Sequence, residues 1–182
     1  MTSPPSFREV YHECKDLVYN LALQYVHNTD DAQDIAQEVF VKVHHHLHAF
    51  DPAAASITTW VYRITVNHCL DFLKARKTKK RFAFITSLFS PDEEGRQHDP
   101  GHFDHPGVLM EDAEELRNLF ALIDRLPPRQ RTALILTKIE DRSQKEAAEI
   151  MQIPPKALES LVQRAKQALS EMMEQRRRID RK

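Results

Sequence analysis

Glycine is almost missing from this chain. Gly95, Gly101 and Gly107 are the only three in 182 residues, and all fall between Ser90 and Gly107, beside Pro91, Pro100 and Pro106. So little glycine elsewhere argues against sheets joined by tight primed turns and against a glycine-rich phosphate loop. Cysteine is scarcer still. Cys14 and Cys69 lie inside apolar helical patterns with no signal peptide ahead of them, and they read as small core residues of a reduced, cytoplasmic protein. No long apolar run is present, so direct membrane insertion is not expected. The formal net charge is -1, which means that bulk electrostatics does not announce a polyanion binder and any such role must come from local asymmetry. No catalytic constellation stands out either, and the expectation is a non-enzyme without a cofactor or a resident metal.

Helix formers fill the space that glycine leaves. The composition is 41% hydrophobic, enough for a core, and the glycine-containing segment separates two glycine-free halves. That segment has neither helical nor alternating periodicity and reads as a flexible linker. The expected fold is therefore all-α, with two small helical domains: residues 1–82, a linker at 83–110, and residues 111–182.

Charge is distributed unevenly along this frame. Acids gather at Asp30, Asp31, Asp34 and Glu38 and again at Asp92, Glu93 and Glu94, while bases gather at Lys74 to Arg81 and at Arg176 to Arg178. The stretch Ser56 to Arg81 is apolar first, through Ile57, Trp60, Val61, Ile64, Leu70 and Leu73, and basic afterwards. Lys74, Arg76, Lys77, Lys79, Lys80 and Arg81 follow with no acid between them. Such a density of cations at a helix end fits a nearby polyanion, although complementing the helix macrodipole is a second reading.

In chain order, Ser6 and Glu9 have capping-box spacing, and Phe7, Val10, Tyr11, Cys14, Leu17, Val18, Leu21 and Tyr25 mark one face of a first helix. The run from Asn28 to Asp31 breaks it and caps a second. The buried face of this second helix is Ala32, Ile35, Ala36, Val39, Phe40, Val43 and Leu47, and its outer face is Asp34, Gln37, Glu38, Val41, Lys42 and His45. Ser56 or Thr58 can cap the third helix, which closes a three-helix unit by about Arg81. Phe82 to Phe89 is apolar and also permits a strand. Further on, Glu111 to Leu126 is helical, Pro128 suits the first turn of a helix over Arg129 to Ile139, and Ser143 with Glu146 forms a second capping box. A short helix to Met151, a turn at Gln152 to Pro154 and a longer helix from Pro155 to about Gln175 have helix-turn-helix spacing, and an ordinary helical hairpin has it too.

Three of these stretches together resemble one family, the extracytoplasmic-function group of bacterial RNA polymerase sigma factors. Asp34 to Lys42 (DIAQEVFVK) is similar to its region 2 helix that docks on the polymerase clamp. Thr59 to Asn67 (TWVYRITVN), with Asp71 and the basic run, resembles its promoter-melting helix. Leu126-Pro127 with Arg129 and Arg131, then Glu140, Ser143, Glu146, Ala148, Ile150 and Gln163 to Lys166, resembles region 4.

The resemblance implies a transcription initiation factor with core RNA polymerase (clamp and flap) and promoter DNA as partners. It also implies control by an anti-sigma factor, often membrane-anchored in this family. By resemblance, Asp34, Gln37, Glu38, Val41 and Lys42 would bind polymerase. Phe50, Asp51, Ser56, Trp60, Tyr62, Arg63, Asn67, Lys74, Arg76, Lys77 and Lys80 would serve the minus-ten element, with the Phe50 to Thr58 loop holding a flipped base. The chemistry suits melting, because capturing a displaced strand needs stacking surfaces beside cations and groups that can pair with a base edge. Trp60 nonetheless reads as serving core packing first, since tryptophan usually supplies bulk. The acids Asp92, Glu93, Glu94, Asp99 and Asp104 would imitate RNA along the exit path. Within Ser143 to Ala168, Lys156, Glu159, Ser160, Gln163, Arg164 and Lys166 would face the minus-thirty-five element.

Region 4 departs from the family pattern. Gln152 stands at the usual turn glycine, and Glu159 and Leu161 stand where cations are frequent, which implies an unusual minus-thirty-five sequence or a weak contact. His44, His45, His46 and His48 leave a metal site open, but no carboxylate or cysteine stands at ligand spacing, and the glutamate of an H-E-x-x-H hydrolase is absent. The competing function is a stand-alone helix-turn-helix regulator that binds duplex DNA without polymerase.

Overall fold

The computed structural model describes residues 5–89 and 110–179, and every regular element among them is helical. The first helix, α1 (Phe7–Val26), starts at the expected capping box: the Ser6 hydroxyl accepts the Glu9 N–H at 3.3 Å, and the Glu9 carboxylate accepts the Ser6 N–H at 2.7 Å. The Ser6 hydroxyl also donates to the Glu9 carboxylate at 2.7 Å, and this bond first, with the one from the Ser6 N–H, holds the Glu9 carboxyl below its ordinary pKa. His27 ends the helix in the left-handed region with φ 53°, and Asn28 then accepts the Asp31 N–H at 2.8 Å to open α2 (Thr29–His46). Asp30 and Asp31 in the first turn of α2 complement the helix dipole.

Helices α1 and α2 pack together through Val10, Cys14, Val18, Leu21 and Tyr25 on one side and Ala32, Ile35, Val39, Phe40 and Val43 on the other. The Phe40 ring lies 4.8 Å from Tyr11 and 6.5 Å from Phe7. Tyr11 nevertheless remains exposed, and Leu17, Ala36 and Leu47 are half-buried, so the core face is narrower than the apolar pattern predicts. Both cysteines are buried, and burial followed by the Glu13 carboxylate pushes the Cys14 thiol up to about 11, which leaves it protonated and inert.

Two features of the third helix depart from expectation. After a turn at Leu47–Ala49, α3 (Ile57–Phe89) begins where the Ser56 hydroxyl accepts the Thr59 N–H at 3.1 Å, and it continues for 33 residues. It therefore runs through Phe82 to Phe89, where a strand was also permitted, and passes the predicted end near Arg81. An apolar octet without turn residues gives a helix no reason to stop. The buried stripe also differs from the predicted one. Val61, Tyr62, Thr65, Val66, His68 and Cys69 are buried, while Ile57, Trp60, Ile64, Leu70 and Leu73 are half-buried. A threonine, a histidine and a cysteine on the inner face hide that stripe from a count of apolar residues.

The C-terminal helices are α4 (Met110–Ile123), α5 (Pro128–Leu134), α6 (Gln144–Met151) and α7 (Pro155–Ile179). Pro128 occupies the first turn of α5, where its missing N–H costs nothing. A wider π turn follows over Ile135–Ile139 in place of the expected regular helix, with the Thr137 hydroxyl donating to the Ala133 carbonyl at 2.7 Å. The second capping box forms as read, with Ser143 and Glu146 exchanging bonds at 2.9 and 3.2 Å. Gln152 takes the left-handed conformation, φ 54°, that ends α6, and its N–H is bonded back to α6. Pro155 opens α7, which packs on α4, α5 and α6 and buries Leu158 and Ala165. Arg131 is buried in this core and paired to Asp124 at 2.8 Å.

The chain divides into two compact units, Met1–Ala49 with Ile64–Asp104, and Phe50–Arg63 with His105–Lys182. The loop after α2 and the first two turns of α3 thus group with the C-terminal helices. The linker acids Asp92, Glu93, Glu94, Asp99 and Asp104 lie outside the described residues, as does most of the 83–110 segment.

Candidate functional site

The first candidate surface is the outer face of α2 in the first unit. Asp34, Gln37, Glu38 and Val41 are exposed and Lys42 is half-buried. Val41 is 56% exposed, an apolar side chain amid acids and an amide, a composition that suits protein contact better than a purely solvated face. Two of these residues are tied to α3. The Lys42 ammonium lies 2.7 Å from Nδ1 of His68, and Nε2 of the same ring lies 3.1 Å from Glu38. Asp31, one of the acids at the start of α2, pairs with Arg76 at 3.0 Å. Arg76 is therefore half-committed within the protein, whereas Asn67, Lys74, Lys77 and Lys79 are exposed along the same helix. The side chain of Lys80 lies outside the described residues.

The second unit holds the remaining residues expected to serve the minus-ten element. Asp51 accepts the Ala53 N–H at 2.9 Å and shapes the loop before α3, while Ser56 is occupied as the helix cap. Trp60 is neither core nor free surface: it is half-buried, with its ring 5.4 Å from Phe50. Tyr62 corrects the expectation of an open stacking platform. It is 3% exposed, its hydroxyl donates to Glu140 at 2.7 Å, and the Arg142 guanidinium sits 5.7 Å from its ring centre. Burial first, and the bond to the Glu140 carboxylate second, keep that phenol protonated far above its usual range. Arg63 is also engaged, with Nε donating to the Glu149 carbonyl at 3.0 Å.

The helix-turn-helix pair α6 and α7 presents Lys156, Glu159, Ser160, Gln163, Arg164 and Lys166 to solvent, all exposed, while Leu158 and Ala165 face inward. The six residues therefore share one outward surface of α7, as the spacing predicts. Burial of Leu158 directly beside exposed Glu159 fixes which side of α7 can meet a ligand. His44, His45, His46 and His48 are exposed, and the His44 ring packs edge-on against Phe7 at 5.0 Å. No cluster of three or more histidine, cysteine, aspartate or glutamate side chains converges among the described residues. Nor is any helix among them long and apolar enough to cross a membrane.

Sequence patterns did not disclose His68, Glu140 or Arg142 as partners of the candidate residues. A histidine between Asn67 and Cys69 offers only one hint, a titratable residue at a position whose neighbour is core. Glu140 and Arg142 lie some eighty residues from Tyr62 in sequence, and no local pattern links them.

Comparison with known proteins bears on the whole arrangement. Sigma-70 region 2 matches residues 10–79 and Sigma-70 region 4 matches residues 116–169. The RNA polymerase sigma-H factor of Pseudomonas aeruginosa is 31% identical over 157 residues, covering 86% of this chain and 80% of that protein. The ECF RNA polymerase sigma factor SigW of Bacillus subtilis is 30% identical over 172 residues, covering 92% and 89%. Among solved structures, CnrH in complex with the cytosolic domain of CnrY matches at TM-score 0.64 and 22% identity, covering 92% of this chain and 87% of that one. RpoE in complex with the anti-sigma factor NepR from Bartonella quintana matches at TM-score 0.64 and 20% identity, covering 92% and 96%. These two share the fold. With regions 2 and 4 both matched in order and curated relatives aligned over most of their own length, the chain belongs to the ECF group of the sigma-70 family of RNA polymerase sigma factors.

Proposed function

We propose that the chain binds core RNA polymerase through the outer face of α2, directs it to specific promoters and melts the minus-ten element, with an anti-sigma factor as its regulator. The observation that carries this reading is the order of surfaces along one chain: an acid-and-amide face with an exposed valine, a helix that turns basic, and a helix-turn-helix with its polar face outward. Trp60 and Phe50, whose rings lie 5.4 Å apart and tilted to each other, supply aromatic area for a displaced base, and Asn67, Lys74, Lys77 and Lys80 supply pairing and phosphate contacts. In the two solved structures of like fold, RpoE is bound to the anti-sigma factor NepR and CnrH to the cytosolic domain of CnrY, which supports anti-sigma control of this chain in the cytoplasm. Membrane anchoring would reside in that partner.

In-vitro transcription with purified core enzyme and a promoter pool tests the reading. Specific transcripts and permanganate-sensitive thymines at minus ten are expected only when the chain and core are combined. Tight sequence-specific binding by the free chain, without transcription, would favour a stand-alone regulator instead.

The minus-thirty-five contact has its own test. Glu159 is the one carboxylate among the six outward residues of α7, and it repels phosphate unless it accepts from a cytosine amine in the major groove. Replacing it, Glu159→Arg, adds about one phosphate contact, and the free chain should bind generic duplex about eightfold tighter at 0.1 M salt. If filter binding shows weaker promoter affinity without that gain, Glu159 reads a base.

A further inference from the structure

We propose that His68 is a positioning residue: its buried neutral imidazole spans Lys42 and Glu38 and fixes where both stand on the α2 face. This rests on the reading of that face as the polymerase-binding surface. The geometry assigns the proton. An ammonium has hydrogens to donate and no lone pair, so the 2.7 Å contact from Lys42 requires an unprotonated Nδ1. The ring proton then sits on Nε2 and is donated to Glu38 at 3.1 Å. That second contact is accordingly a hydrogen bond from a neutral ring and not an ion pair.

Glu38 and Lys42 are four residues apart, so they project from one side of α2 and could meet each other directly. The imidazole holds them apart, each bonded to a different ring nitrogen. The His68 side chain is 10% exposed, whereas that of Glu38 is 69% exposed, so an anchored ring steers a surface carboxylate that would otherwise sample many rotamers.

The charged groups facing His68 are Lys42 and Glu38 from α2 and Asp71 from its own helix. Burial and the Lys42 charge hold its pKa below the ordinary 6.5, against the smaller opposing pull of Glu38 and Asp71. The ring is therefore neutral at cytoplasmic pH. Acidification puts a proton on Nδ1 and expels Lys42. Because the folded value lies below the unfolded one, the unfolded chain takes up the proton first. Stability from this group is complete above 6.5 and declines as pH falls from there towards the folded value.

The test compares the wild-type chain, His68→Gln and His68→Leu for affinity to core polymerase between about pH 8 and pH 5.5. Glutamine offers one acceptor and one donor without titrating, and leucine offers neither. At about pH 7.5 the leucine variant should bind core about tenfold more weakly while the glutamine variant stays within about threefold of wild type. On acidification the wild type should lose affinity relative to the glutamine variant, and by less than about tenfold at about pH 5.5 because the folded pKa lies below 6.5. Imidazole nitrogen NMR shifts, which need no polymerase, should place the proton on Nε2. Leucine and glutamine variants that bind core alike at about pH 7.5, or a proton on Nδ1 at neutral pH, would overturn the positioning role. A wild-type chain that binds core at no pH overturns the α2 reading beneath it.

Discussion

Removing the Lys74 and Lys77 charges together is expected to cost the holoenzyme about 25- to 60-fold in promoter affinity at 0.1 M salt. Both side chains are exposed on α3, and neither has a bond within the protein among those observed for the described residues. Each phosphate neutralised contributes about 0.9 to the slope of log affinity against log salt on duplex, and about 0.7 on single strands. Two lysines thus account for a slope of about 1.4 to 1.8, and at 0.1 M salt this difference becomes the stated range. The double change Lys74→Ala with Lys77→Ala should leave thermal stability and core binding as they are, since neither residue is buried nor on α2. Measuring open-complex affinity from 0.05 to about 0.3 M salt checks the slope directly. A parallel shift with unchanged slope would mean that the lysines act through the helix dipole and not through phosphate.

Arg76 provides the contrast within the same basic run. Its partner Asp31, 3.0 Å away, already compensates its charge, so it has less to offer a phosphate than its neighbours. A count of cations along the sequence treats all of them alike, because the pairing acid comes from another helix.

The same limit explains what could and could not be read from the residues. Both capping boxes, the Asn28 cap, the Pro128 start and the turn at Gln152 were legible because each is set by contacts within a few residues. The inward stripe of α3 was not, because Thr65, His68 and Cys69 are buried by virtue of what lies opposite them. Tyr62 shows the point most clearly. An aromatic in a helix that turns basic reads as a stacking surface, yet its ring is buried and its hydroxyl is bound to Glu140, a partner supplied by a distant stretch of chain. The outward faces of α2 and α7 were legible because helical periodicity alone separates them from a strongly apolar inner side. The extension of α3 to Phe89 was missed for the opposite reason: Phe82 to Phe89 carries no capping or breaking residue to settle its state.

Leu158 and Glu159 turn this division into the second large expected effect. They are adjacent in sequence, but Leu158 is fully buried beneath α7 while Glu159 faces out. Leu158→Ala removes buried methyl groups and leaves a cavity where α7 meets the helices it packs on, at a cost of about 2 to 5 kcal/mol. A small domain has only about 5 to 15 kcal/mol in hand, so much of the helix-turn-helix stability is lost. With a urea m-value near 1 kcal/mol/M, the unfolding midpoint should fall by roughly 2 M or more. Minus-thirty-five duplex binding should weaken in step with the unfolded fraction and recover on cooling or with stabilising osmolyte. Glu159→Arg should leave the unfolding free energy within about 0.5 kcal/mol of wild type while changing affinity, as expected of a surface substitution. If Leu158→Ala kept its stability but lost binding, the side of α7 assigned to DNA would be the wrong one.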